Sequence, residues 1–219
     1  MLRRLGITGL VCVTVVWSRP VFATSIVFSD FGPGDSYNVN VGYTVSSAGN
    51  LFNTNQDIDI AMGFTPTADY TLDSIKLAAA VASGSPNEFD VWLTTDSVGR
   101  PGTILESWVF SNAMGLFGQS NPTLAANSIL HPTLNANTLY WLVADVPDAS
   151  SLSAAWNVNS IGENGPTSYR VNDGTWSAAF SNTQSAFEID GTPVPEPATL
   201  MLFGSGLLGI VHRRHRRTR

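Results

Sequence analysis

The sequence predicts an all-β sandwich over residues 24–191, on three observations. Short apolar runs rich in Val, Ile, Leu, Phe and Trp recur between clusters of Gly, Pro, Asn, Ser and Asp, the spacing of strands joined by tight turns. Strict alternation is explicit in residues 88–94, where Phe89, Val91 and Leu93 interleave with Asp90, Trp92 and Thr94, so one face belongs to a core. No segment sustains helical spacing. Ala78, Ala79, Ala80, Val81 and Ala82 have the composition of a helical turn, but Gly84 and Pro86 leave it no length.

Taken in order, strands are expected at 25–29, 58–65, 74–80, 88–94, 104–110, 138–144, 153–159 and 186–190. The segment 138–144 is apolar on both faces, with Leu139, Trp141 and Val143 set against Tyr140, Leu142 and Ala144, and reads as a central strand. Turns are expected at 83–87, 96–102 and 161–166, which carry the Gly, Pro and Asn that bends demand. The run from Ala78 is read as the end of the 74–80 strand. The chain shows no internal repeat.

Both ends carry addresses. Arg3 and Arg4 precede an apolar stretch at 5–17 and a short segment ending Val21, Phe22, Ala23, the layout of a secretory signal peptide over 1–23 cleaved after Ala23. Cys12, the one cysteine, lies inside it, and Val11 before it is not the small residue that lipidation needs. At the other end, Pro195, Glu196 and Pro197 lead into an uncharged run at 198–211, followed by Arg213, Arg214, Arg216, Arg217 and Arg219. Fourteen helical residues rise about 21 Å, a marginal span for a hydrocarbon core of roughly 30 Å. The arginines set its direction, since clustered basic residues beside an apolar helix stay cytoplasmic. The order of triplet, apolar helix and arginines over 192–219 resembles the PEP-CTERM sorting signal of Gram-negative bacteria, which is cut by the membrane transpeptidase exosortase. That resemblance implies export, a transient inner-membrane anchor and release to the cell surface or extracellular matrix. It also implies a setting of exopolysaccharide and biofilm.

Without its ends the chain is strongly acidic. Lys76, Arg100 and Arg170 face sixteen carboxylates, a net charge near −13. Such a body repels phosphate backbones, which excludes nucleic acid as a partner; cations, basic partners and neutral glycans remain. No cysteine is left for a disulfide framework or a thiolate zinc site. The body therefore depends on one ordinary hydrophobic core.

Within it, YTLDSIKLAA from Tyr70, FDVWLTTDSVGRPGTILES from Phe89, PTLNANTLYWLVADVP from Pro132, AAWNVNS from Ala154 and DGTW from Asp173 together resemble the exported bacterial domain called choice-of-anchor R. The resemblance implies a jelly-roll-like sandwich at the cell surface and carries over no catalytic residue.

Candidate sites are few. Asn53, Asn55, Asp57 and Asp59 alternate, so an extended backbone lines their oxygens along one side, as hard ligands for Ca²⁺ require. The EF-hand pattern is absent: Ile58 and Phe64 stand where its glycine and glutamate belong. The competing reading is the solvated face of an edge strand. Trp92, which shares a face with Glu88 and Asp90, and Trp176, which follows the turn residues Asp173 and Gly174, are the candidate glycan platforms; Trp141 and Trp156 have apolar neighbours and read as core. His131 would have to serve any Ser-His-Asp relay, and Glu88, Glu106, Glu163 and Glu188 are the acids from which a glycosidase pair would be drawn. Gly204, Gly206 and Gly209 match a dinucleotide fingerprint only literally, inside the apolar tail. The reading is a non-catalytic exported surface protein. A secreted carbohydrate-active enzyme and a structural protein without a ligand are the alternatives.

Overall fold

A computed structural model describes residues 23–50 and 56–195 of the chain. The expected signal segment up to Phe22, Asn53, Asn55, Glu196, Pro197, the apolar run at 198–211 and the arginines at 213, 214, 216 and 217 lie outside the described residues. Among the described residues there is no helix, and therefore none long and apolar enough to cross a membrane.

The strands are β1 (Ser25–Ser29), β2 (Tyr37–Ser46), β3 (Ile58–Phe64), β4 (Tyr70–Leu77), β5 (Ala79–Ser83), β6 (Glu88–Asp96), β7 (Pro101–Ser111) and β8 (Gly115–Leu116). They continue with β9 (Leu124–Asn127), β10 (Thr133–Leu134), β11 (Tyr140–Asp145), β12 (Ser153–Asn159), β13 (Asn164–Val171), β14 (Phe180–Thr183) and β15 (Phe187–Pro193). A five-stranded sheet runs β1-β15-β4, with β9 and β10 sharing the far edge of β4. A ten-stranded sheet runs β7-β6-β11-β3-β2-β12-β5-β8. At β3 this second sheet divides. Strand β2 meets β3 only at Ser46 and Ile58, whereas β13 pairs from Ile58 to Met62 and carries β14 on its other side. The large sheet thereby branches at β3 into a β2 arm and a β13-β14 arm.

One core joins the two sheets. Leu72, Ile75, Leu77, Phe187 and Ile189 of the smaller sheet meet Ile60, Met62, Phe64, Phe89, Val91, Leu93, Leu142 and Trp156 of the larger. Phe187 lies 4.7 Å from Phe28, 6.1 Å from Phe64 and 6.0 Å from Trp156, centroid to centroid, so it ties both sheets through aromatic contacts. The alternation in β6 is realised in the expected phase: Phe89, Val91 and Leu93 are fully buried, while Asp90 and Trp92 turn to the outer face. Strand β11 is central, flanked by β6 and β3, and buried along its length.

The strand expected at 74–80 is two strands. Pairing with β15 ends at Leu77, and after Ala78 the chain enters β5 of the other sheet beside β12. Ala78 makes the crossing without losing backbone bonds, its N–H donating to Ala186 O and its carbonyl accepting from Asn157. Local composition could not reveal this, because the polyalanine run suits either sheet. The turn expected at 161–166 is shorter, since β13 already begins at Asn164. Strands β2, β8, β9, β10, β13 and β14 were not anticipated; polar residues and interior glycine or proline weaken the apolar signal of β2 and β13, and the other four run only two to four residues. At Gly84 the backbone is left-handed (φ 82°), and a Cβ there would strike the Ser151 carbonyl. That turn accepts only glycine.

Burial of the β6 inner face sets an expected result. Val91→Ala and Leu93→Ala should each cost roughly 2 to 4 kcal/mol in a urea titration. Asp90→Ala should cost little, because its buried Oδ1 has no hydrogen-bond partner to lose. Equal, small effects at all three positions would contradict the observed burial.

Candidate metal centre

The alternation of β3 determines what lies on each side of it. Ile60, Met62 and Phe64 enter the inter-sheet core, so Asp59 and Ala61 face the other way, where Ala61, Trp141 and Val143 form a second, smaller apolar cluster. Cross-strand register extends this outer face. Arg170 of β13 is opposite Asp59, and Asp145 of β11 is opposite Asp90 of β6. Because Ala144 is opposite Ile60, Asp145 falls beside Asp59. Four adjacent strands thus carry a row of Arg170, Asp59, Asp145 and Asp90, next to the start of β3 at Asp57.

The aspartates gather into two groups that share Asp57. One oxygen each from Asp57, Asp59 and Asp145 lie within 4.8 Å of one another, as do one each from Asp57, Asp148 and Asp173. The inner group is partly engaged by protein, with Asp59 Oδ1 left buried and without a partner. Arg170 Nε donates to Asp59 Oδ2, and Asp145 Oδ1 accepts the Val146 N–H at 2.6 Å. Burial pushes the Asp145 carboxyl far above the ordinary carboxylate range, and the neighbouring Asp59 carboxylate adds to the effect.

The outer group borders open space. Ala48, Asp57, Asp148, Asn172 and Asp173 line a cleft of about 480 Å³. Its geometry comes from a reciprocal pair of bonds: Asp57 N–H donates to Asn172 Oδ1 at 3.0 Å, and Asn172 N–H donates to Asp57 O at 2.8 Å. Asp57 itself is only 6% exposed, and its Oδ1 has no hydrogen-bond partner. Burial raises its carboxyl to about 6, with Asp59, Asp173 and Asp148 adding repulsion and Arg170 opposing it.

Of the residues expected to bind calcium, Asp57 and Asp59 do lie together; Asn55 is outside the described residues. The competing edge-strand reading is corrected: β3 is paired on both sides, and Asp59 is 1% exposed. Asp145, Asp148, Asp173 and Arg170 were missed. A signal existed for one of them, since Asp145 ends the apolar strand YWLVAD with an acid.

Trp92 and Trp176 also meet here. Both pack against the Ala61, Trp141 and Val143 cluster, and the Arg170 guanidinium carbon lies 5.7 Å from the Trp92 ring and 5.2 Å from that of Trp176. Each ring thus has a cation over it, and both stay partly exposed. Trp141 and Trp156 are fully buried, with their N–H groups on Asp96 Oδ1 and Ala186 O.

The other candidates are dispersed. Glu106 accepts from Ser128 Oγ at 2.6 Å and from the Leu130 N–H at 3.2 Å; Glu188 pairs with Lys76 at 2.7 Å in the other sheet. Glu88 accepts from Ser111 Oγ at 3.3 Å, and Glu163 is exposed near the start of β13. The His131 ring makes its bond to Leu72 O at 2.9 Å, whereas the Ser128 hydroxyl is engaged by Glu106 and the His131 N–H. No Ser-His relay forms among the described residues.

The folded part reaches the C-terminal motif without a linker. Strand β15 is held by β1 on one side and β4 on the other and runs to Pro193, and the Val194 N–H still donates to Asp69 O at 2.9 Å. Pro195 is the next residue. No curated protein and no solved structure matches the chain. Residues 193–217 match the family described as the PEP-CTERM protein-sorting motif, which marks an exported chain processed by exosortase, with a transient membrane anchor in a Gram-negative bacterium.

Proposed function

We propose that this is a non-catalytic surface or matrix protein, a jelly-roll-like sandwich of the choice-of-anchor R kind that exosortase separates from its membrane helix near Pro195. The observation that carries the reading is the junction itself. The matched motif starts at the last residue of β15, and that strand is paired on both sides. A cut just beyond it removes the apolar run and the arginines while leaving every strand of the described residues in place. The non-catalytic part rests on the acids: Glu106 and Glu188, two of the four candidates, are engaged within the fold and lie in different sheets. The proposed destination is extracellular polysaccharide, with the partly exposed edges of Trp92 and Trp176 as the candidate glycan contact.

Intact-mass analysis tests the sorting step. Protein recovered from the surface of a host carrying an exosortase should end near Pro195 and lack Arg213, Arg214, Arg216 and Arg217. The same host without the enzyme should retain the complete C-terminus in its membrane fraction. Recovery of the uncut chain at the surface would refute the reading. A glycan array probed with the released form tests the partner, and binding that persists unchanged in Trp92→Ala and Trp176→Ala would move the contact elsewhere.

A further inference from the structure

We propose that the cleft between the start of β3 and the 172–173 loop is a site for one calcium ion, held by Asp57, Asp148 and Asp173. This set differs from the alternating Asn55, Asp57 and Asp59 expected along the chain, and it stands apart from how the protein is sorted. The three carboxylates each offer an oxygen, and these lie within 4.8 Å of one another, compatible with a shared ion 2.3 to 2.6 Å from its ligands.

Acidic clusters alone are common on protein surfaces. The independent observation is Asp57: a carboxylate 6% exposed, lining the cleft, with Oδ1 unbonded to any donor. A buried polar atom without a partner is costly, and one beside two other carboxylates more so. A divalent cation satisfies that oxygen and neutralises the repulsion in one step. The inner group also holds a buried oxygen without a partner, Asp59 Oδ1, but it is the poorer host, because the Arg170 guanidinium on Asp59 Oδ2 already supplies a positive charge and the Val146 N–H occupies Asp145 Oδ1. In the outer group one protein contact competes: Arg170 Nη2 reaches Asp173 Oδ1 at 3.1 Å. The second oxygen of Asp173 is available, as the residue is well exposed.

The chemistry favours calcium over magnesium and over transition metals. All three ligands are hard oxygens, which disfavours soft ions. The cleft is open, so water can complete the six to eight positions that calcium accepts, whereas magnesium demands near-ideal octahedral geometry. Two of the three ligands are solvent-exposed. The affinity should accordingly fall in the range of extracellular modules, on the order of 10⁻⁴ to 10⁻³ M.

The test is equilibrium calcium binding and thermal melting of the full chain, in detergent and at constant ionic strength. One ion should bind per chain, and 10 mM calcium should raise Tm by roughly 3 to 10 °C, with magnesium giving less than half of that. Asp148→Asn combined with Asp173→Asn should weaken binding at least tenfold and abolish the calcium-dependent shift. Both positions are exposed, so the variant should melt cooperatively without calcium, and that melt confirms that it folds. Glu163→Gln, an exposed acid elsewhere, should leave the affinity unchanged. Equal shifts with magnesium, unchanged binding in the double variant, or equal losses in the Glu163→Gln variant would overturn the site and leave only diffuse screening.

Discussion

Arg170→Ala should destabilise the protein by about 3 to 5 kcal/mol, the cost of breaking a buried ion pair from one side. Its partner Asp59 is 1% exposed, and the groups beside it are the carboxyls of Asp57 and Asp145, the second held protonated by burial. Removing the guanidinium strands a buried negative charge with no cation beside it. The substitution also empties the slot between Trp92 and Trp176, so packing and charge must be separated. Arg170→Met keeps an apolar stem between the two rings and should recover only a minor part of the loss. Asp59→Asn in the Arg170→Ala background should recover more than half, because it removes the stranded charge. Urea titrations of the four proteins decide the matter. A cost below 1 kcal/mol for Arg170→Ala would mean that the pair behaves as a solvated surface bridge.

The second large effect concerns pH, and Asp30 isolates it because it lies away from the aspartate cluster. It follows β1, is fully buried, accepts the Phe187 N–H on Oδ1 at 2.7 Å and leaves Oδ2 without a partner. Burial pushes its carboxyl up to about 7; the Phe187 N–H opposes this and Glu163 adds to it. A carboxyl that keeps its proton longer in the folded than in the unfolded chain stabilises the fold fully below about pH 4. That contribution drains away as pH climbs from about 4 to about 7. At about 1.4 kcal/mol per pH unit, the loss at this residue is on the order of 4 kcal/mol by pH 8. Asp145, Asp57 and Asp90 are raised too and act in the same direction. The protein should therefore be more stable at pH 5 than at pH 8, with Asp30→Asn flattening the decline. If stability rises from pH 5 to pH 8, or if Asp30→Asn leaves the slope unchanged, the buried carboxyl does not govern it.

Both results depend on features that were unequally legible in the sequence. The phase of β6, the centrality of β11 and the limits of β1 and β12 were readable, because alternation and turn chemistry are carried by neighbouring residues. So was the sorting motif, a contiguous run of 193–217. Asp57 and Asp59 were readable as a one-sided pair for the same reason. Arg170 and Asp59 are 111 positions apart, and nothing local to either marks the other.

The sequence by itself determined the class of fold, the acidity of the exported body and the address at its end, all written in composition or in consecutive residues. Only the tertiary structure decided that the chain changes sheets at Ala78, that β3 is interior, and that five aspartates from the start of β3, the end of β11 and the loops after β11 and β13 converge around one arginine. The physical reason is register. In a sheet, side-chain neighbours are set by which strands pair and at what offset, and that choice is made by burying the inner faces against a shared core. The outer-face row of Arg170, Asp59, Asp145 and Asp90 is a consequence of that pairing, so no inspection of any one strand could have assembled it.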